Sequence, residues 1–352
     1  MIGIEVFAGA GGMSYGAAAA GVQVRVAIEI NASACATYRA NHPSVQLINN
    51  DIRQVTEIDL GSRNAPIILF GGPPCQGFST SNQRTRTKEN STNWLFLEFF
   101  RIADMIGPEW LVIENVAGIT HTAKGDFLRD IQEQLHDRGY SFVSGLLQAS
   151  EHGVAQRRQR FFVIARKGER PAEFSKIPKG EVEFTVRDAI SDLPSLQNGQ
   201  AAGYLPYQNG ALSPYAKALR GSLSECDGHL VTNNAPHIVE RYKHIPNGGN
   251  WSAIPEDLMG SYKDRTRCHS GIYHRLHADR PSIVLGNFRK NMLIHPFEHR
   301  GLSVREAARI QSFPDTYRFY GSIGLQQQQV GNAVPPRLAE AVFSYIMGQV
   351  QQ

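Results

Sequence analysis

The sequence predicts an α/β fold, a parallel sheet covered on both faces by helices, joined to a second, smaller, loop-rich domain. Three observations lead there. Apolar, β-branched stretches recur through the first 166 residues with helical patterns in several of the gaps, and strands that alternate with helices imply a parallel sheet. Five consecutive strands end in polar or glycine-rich residues, at the edge where such sheets bind ligands. Beyond about Arg166 the composition shifts, and residues 167–272 are rich in Gly, Pro, Ser, Asn and His without sustained periodicity.

Taken in order, strands are expected at Ile2–Phe7, Val24–Ile30, Val45–Ile48, Ile67–Phe70, Leu111–Ile113, Phe142–Leu147 and Phe161–Ala165. Helices are expected at Met13–Ala20, Ala32–Ala40, Trp94–Ile106 and Lys124–Arg138. Near the C-terminus, Ser303 reads as an N-cap, with Glu306 completing a capping box, and Phe313-Pro314 ends that helix. The run Gln326–Gln329 is read as a solvated turn, and residues 336–350 as a last helix.

Composition bounds the rest. At 352 residues, 41% hydrophobic and 19% charged, the chain can bury a sizeable core in about two domains. Disorder and a disulfide scaffold are excluded for the whole chain. No run of eighteen apolar residues or basic-then-apolar leader is present, so neither a membrane span nor a secretion signal is expected. Four cysteines with no CxxC pair fit a reducing compartment and argue against structural zinc. The net charge of +4 permits a polyanionic partner without demanding one.

Phe7-Ala8-Gly9-Ala10-Gly11-Gly12 follows the first strand and opens a helix, so glycines there allow close backbone approach of a ligand. Glu29 lies twenty residues after Gly9 at the end of the second strand, where a carboxylate can accept ribose hydroxyls. Asp51 could accept an adenine amino group or cap a turn. There is no GxGxxG and no GxxxxGK[ST], so a pyrophosphate cradle is unsupported. A phosphate-free adenosine ligand fits better, and S-adenosylmethionine is the obvious one.

Gly71-Gly72-Pro73-Pro74-Cys75-Gln76-Gly77-Phe78-Ser79 is the most informative stretch. A lone cysteine is usually a small buried hydrophobe. Here two prolines stiffen the backbone before Cys75 and it begins a polar loop, so its side chain need not be buried. A nucleophilic thiolate also wants a nearby cation or helix N-terminus. Thr80–Asn93 is either a solvated loop or a lid that meets phosphates. Glu114, in Ile113-Glu114-Asn115-Val116, ends the strand expected beside that of the cysteine and could donate a proton. In Gln156-Arg157-Arg158-Gln159-Arg160, alternation puts Gln156, Arg158 and Arg160 on one face, where arginines can hold phosphate or a carbonyl.

These pieces, with Arg305-Glu306-Ala307-Ala308-Arg309 and Gly331-Asn332-Ala333, run in the order found in DNA (cytosine-C5) methyltransferases of the bacterial restriction–modification type, which the chain resembles from 7 to 336. One departure is Arg280-Pro281-Ser282-Ile283-Val284, where the family more often has threonine after the proline. The resemblance implies a Rossmann-like S-adenosylmethionine-dependent methyltransferase sheet with a loop-rich target-recognition domain. The implied division is 1–171 for catalysis and cofactor, 172–272 for target recognition, and 273–352 for a hinge segment and a C-terminal helix returning to the first domain.

It also implies roles. Cys75 adds to cytosine C6, Glu114 supplies the proton, and Arg158 with Arg160 secures the O2 carbonyl and local phosphates. Gln76, Ser79 and Asn115 are assigned to the substrate. Phe7, Gly9, Gly11, Gly12, Glu29, Ile30, Asp51, Ile52, Pro73, Leu95, Asn332 and Ala333 are assigned to S-adenosylmethionine, with S-adenosylhomocysteine as product and no metal. The base must flip out of duplex DNA, with the segment Ser79–Asn93 closing behind it. A monomer in the bacterial cytoplasm is expected, with a cognate restriction endonuclease as a separate partner. Within 172–272, Arg187, Arg220, Arg241, Lys243, Lys263, Arg265 and Arg267 are available for DNA, and the many histidines match no metal-site spacing. A tRNA substrate or a silent DNA-binding regulator are the rival readings.

Overall fold

The computed structural model describes residues 1–62, 64–74, 95–120, 126–201, 203–208, 210, 213–260, 271–290 and 292–350. Cys75, Gln76, Ser79 and the whole expected lid lie outside the described residues, as do Lys263, Arg265 and Arg267. The first half runs β1 (Ile2–Val6), α1 (Gly12–Ala19), β2 (Gln23–Ile28), α2 (Ala32–Asn41), β3 (Gln46–Ile48) and β4 (Ile67–Gly71). It continues through α3 (Leu95–Ile106), β5 (Trp110–Val116), α4 (Asp126–Asp137), β6 (Tyr140–Gln148) and β7 (Gln159–Lys167). Then follow α5 (Val186–Ile190), β8 (Leu205–Pro206), α6 (Pro214–Arg220), β9 (Glu225–Cys226) and α7 (Pro236–Lys243). The chain closes with α8 (Val304–Ile310), α9 (Ile323–Asn332) and α10 (Pro336–Val350).

Two compact units result. The first takes Met1–His152, Gln159–Lys179 and Pro336–Gln352, and the second Gly153–Arg158 with Gly180–Pro335. This differs from the three-part division drawn from sequence: residues 273–335 group with the loop-rich half, and only α10 rejoins the first unit.

The first unit is built on a seven-stranded sheet ordered β3-β2-β1-β4-β5-β7-β6. β1 to β5 are parallel, as the strand–helix alternation predicts, but β7 runs antiparallel to both β5 and β6. The reason is length. Only the ten residues from Ala149 to Arg158 separate β6 from β7, and a parallel crossover needs a dozen or more. Register aligns the strand ends, with Val6 opposite both Ile28 and Gly71, and Gly71 opposite Ile113. The apolar faces of β1, β2, β4, β5 and β7 bury against α3 and α4 through Phe96, Phe99, Phe100, Ile131 and Leu135. On the other face α10 lies on α1, where Gly16 permits contact: a Cβ there would stand 2.6 Å from Ala339 Cβ.

In the second unit, buried ion pairs stand among the apolar residues. Arg309 bridges Asp192 at 2.6 Å and Asp315 at 2.6 Å, with all three side chains fully buried. Ser303 and Glu306 form the expected capping box at α8, and Glu306 also takes Arg300 at 2.7 and 2.9 Å. That cation holds the Glu306 carboxyl below the ordinary carboxylate range despite burial, which acts in the opposite sense and strongly. Gln326–Gln329 is helical and mostly buried, which corrects the solvated-turn reading. The amide nitrogens find acceptors inside the unit: Gln326 donates to Gly321 O, Gln327 to Thr232 Oγ1 and Gln329 to Tyr320 O, each at 2.9 Å. Ser282, at the departure from the family pattern, is extended and pairs with Ala155 and Arg157. Among the described residues, no helix is long and apolar enough to cross a membrane.

Candidate active site

The strand-end edge of the first unit begins with backbone geometry that few residues tolerate. Phe7 has φ +57°, Gly9 +54° and Gly11 +84°, so the chain turns sharply off β1 before α1 begins. Strain at Phe7, a non-glycine residue in the left-handed region, is of the kind found at functional turns. Gly9 N–H donates to Glu29 Oε2 at 2.8 Å, and Asn31 N–H to Glu29 Oε1 at 2.7 Å. The carboxylate is thereby aimed, with lone pairs left for a further ligand.

Neighbouring residues complete this end. Ile30, next in the chain, stands 64% exposed. Asp51 caps the turn Ile52–Gln54 and pairs with Arg53 at 2.5 Å, whose hydrogen bonds hold the Asp51 carboxyl below its usual range. Ile52 does not join the edge: its side chain belongs to the core, and Phe7 and Leu95 pack against that same core. Arg101 of α3 donates to Ile52 O at 2.6 Å and Val55 O at 2.8 Å, which fixes the turn behind Asp51.

The second end is built by β4, β5 and β7. Because β7 is antiparallel, its beginning meets the end of β5, with Val116 opposite Arg160. Arg160 Nε lies 2.8 Å from Glu114 Oε1, both side chains nearly buried. Burial pulls the Arg160 guanidinium below its ordinary range, and Glu114 opposes that shift. Beside them Gly72 leaves room for the carboxylate: a Cβ there would stand 2.7 Å from Glu114 Oε2. Sequence reading did not single Gly72 out, although a paired glycine after an apolar strand was a visible signal. Asn115 Nδ2 donates to Pro73 O at 3.0 Å, so β5 pins the first of the two prolines that precede Cys75 in the chain.

Arg158 falls in the second unit. Its Nη2 donates to the carbonyls of Gly331 at 2.9 Å, Asn332 at 3.4 Å and Ala333 at 3.1 Å. The guanidinium thus holds the turn between α9 and α10, with Asn332 itself exposed at the helix end. Of the basic residues expected to meet DNA, Arg220 lies over the Tyr207 ring, Arg241 donates to Leu258 O and Tyr273 Oη, Arg187 pairs with Asp279 and Lys243 with Glu240. His229 is bonded through both ring nitrogens, to Ser303 Oγ and Pro194 O.

The sequence model for "C-5 cytosine-specific DNA methylase" matches residues 1–348. The chain belongs to that family. It is a DNA (cytosine-5) methyltransferase, and S-adenosylmethionine is the cofactor that the family implies. Similar proteins include the Type II methyltransferase M1.HphI of Haemophilus parahaemolyticus, 35% identical over 98% of this chain and 86% of its own length. The Type II methyltransferase M.DdeI of Desulfomicrobium norvegicum is 34% identical over 97% and 88%. A solved structure, that of a candidate DNA modification methyltransferase encoded within an E. coli prophage, is 25% identical with a TM-score of 0.81, covering all of both chains. The first strand ends of this methyltransferase fit a nucleoside: no atom lies within 4 Å of where a Gly9 Cβ would stand, and the Gly9 N–H aims the Glu29 carboxylate.

Proposed function

We propose that this methyltransferase acts on a cytosine swung out of duplex DNA, through a covalent bond between Cys75 Sγ and cytosine C6. The observation that carries the reading is the Glu114–Arg160 pair beside Gly72, at the strand edge from which the chain leads through two prolines into Cys75. C5 of cytosine is a poor nucleophile until something adds at C6. As the Cys75 thiolate adds there, a proton goes to N3 and C5 gains the electron density of an enamine. Glu114 carries that proton. Arg160 shifts its hydrogen bond to the O2 carbonyl of the entering base, and the carboxyl then loses its cationic partner where N3 arrives.

S-adenosylmethionine supplies an electrophilic methyl group and leaves as S-adenosylhomocysteine. Gly9, Gly11, Gly12 and Glu29 would hold its ribose and methionine end. Phe7, Ile30 and Asp51, with the Ile52 backbone, would take the adenine, and Pro73 and Leu95 would close the cavity. Loss of the C5 proton and departure of Cys75 restore the aromatic ring. No base inside a stacked helix could be reached this way, so flipping is required, and Gln76, Ser79 and Asn115 would line its destination.

Residues 172–272 read the target, phosphate contacts supplying most of the affinity. The enzyme works as a cytoplasmic monomer, since one flipped base needs one site. Its relatives named Type II methyltransferases support a restriction–modification role, with an endonuclease acting separately. The deciding experiment offers a labelled methyl group to duplex DNA and to total tRNA, maps 5-methylcytosine, and repeats the assay with Cys75→Ala. Label at one short DNA sequence, lost in C75A while cofactor still binds, is expected. Turnover by C75A would sink the covalent step, and label in tRNA alone the DNA substrate.

A further inference from the structure

Helix α2 holds no residue assigned to cofactor or substrate, yet it is tied to the cofactor turn at both ends. At its start, Asn31 N–H donates to Glu29 Oε1 at 2.7 Å while the Asn31 side chain caps Ala34 N–H at 3.0 Å. One turn later Cys35 Sγ lies 3.3 Å from Glu29 O. At its end, His42 Nε2 lies 3.1 Å from Gly11 O. A carbonyl only accepts, so Nε2 carries the proton, and burial keeps the ring neutral by pushing His42 down to about 4.

The middle of the helix is tied as well. Tyr38 stacks on His42 with ring centroids 4.4 Å apart, and its hydroxyl lies 2.7 Å from Ser14 Oγ. Ser14 is in turn bonded to the buried Glu5 carboxyl on β1. Both rings press on the turn: a Cβ at Gly11 would stand 2.6 Å from His42 Nε2 and 2.8 Å from Tyr38 Cδ2. Gly11 O also receives the first helical N–H of α1, from Tyr15 at 2.9 Å. The left-handed Gly11 is therefore clamped by the side chains of His42 and Tyr38.

We infer that His42 and Tyr38 are positioning residues for S-adenosylmethionine, holding the Gly9–Gly12 turn in its ligand-ready shape through Gly11 O and Ser14. This rests on the cofactor assignment given above. The turn is glycine-rich, and without the clamp it would sample other conformers. Binding would then have to supply the ordering, which weakens affinity without touching the chemistry.

The test is calorimetric titration of S-adenosylhomocysteine into the wild-type enzyme, His42→Phe, His42→Gln and Tyr38→Phe, with methyl-transfer kinetics and melting curves on the same preparations. H42F keeps ring volume and loses the donor, and should weaken binding about five- to tenfold and raise KM for S-adenosylmethionine alike. Its kcat at saturating cofactor and KM for DNA should stay at wild-type values. H42Q, whose amide can reach Gly11 O, should recover most of the affinity. Should H42F not fold, Y38F carries the test, with an expected loss of about three- to fivefold. Wild-type affinity in H42F or Y38F, or no recovery in H42Q, overturns the inference. Failure of the wild-type enzyme itself to bind overturns the cofactor assignment instead.

Discussion

Arg160 and Glu114 meet at 2.8 Å along strands that run in opposite directions, β5 ending where β7 begins. The pair exists because of a topological reversal, and the same reversal puts an arginine at an edge that a wholly parallel sheet would line with strand ends alone.

Glu114→Gln keeps the shape of the side chain and removes its proton-carrying capacity. Methyl transfer at saturating cofactor should fall by about 10²- to 10⁴-fold, the range for a lost general acid. Affinity for S-adenosylhomocysteine, measured by calorimetry, should be unchanged. A variant with near-normal kcat would remove Glu114 from the chemistry.

Gly72→Ala tests the same carboxylate without altering it. The added Cβ would stand 2.7 Å from Glu114 Oε2, and the carboxylate is the partner best able to move. Stability should change by less than about 1 kcal/mol, while turnover drops on the order of a hundredfold from misplacement. Equal activity in G72A and wild type would show that the carboxylate tolerates displacement.

Arg158 separates a structural arginine from a chemical one. Replacing it with alanine leaves the carbonyls of Gly331, Asn332 and Ala333 without that donor, and should cost about 3 kcal/mol by urea titration. Arg158→Lys, with one point donor, should fall between. Loss of kcat in a fully stable R158A would return Arg158 to the reacting base.

Glu5 predicts a pH dependence. Burial pushes its carboxyl up to about 8 from 4.5, so between those values the folded chain holds a proton that the unfolded chain has released. Stability from this group is complete below about pH 4.5 and is lost as pH rises toward 8. Glu5→Gln cannot ionise, so its unfolding free energy should gain on that of the wild type across pH 5–8, by a few kcal/mol, then level off. Parallel curves in urea would show that Glu5 titrates normally.

Much of this was legible in the sequence because the signals were local. Alternating apolar strands and helices, the glycine turn before α1, Glu29 twenty residues on and the Ser303–Glu306 box each lie within a short window. Illegible features depended on distant partners. Gln326–Gln329 looked solvated because nothing nearby reveals that Gly321, Thr232 and Tyr320 accept its amides. Arg158 looked like a neighbour of Arg160 in purpose as in sequence, yet its carbonyl partners lie more than 170 residues away. The reversal of β7 could have been read from the short link before it.

The first unit is assembled from three stretches of chain, the last of which is α10. Its Leu338, Ala339, Val342, Phe343 and Ile346 are buried, and α1, which starts at the glycine turn, lies under it. A ribosome therefore finishes the entire second unit before it releases the helix that covers α1. A chain that stops before α10 leaves the face of α1 that this helix covers without its partner, so the first unit closes only after the second has been made.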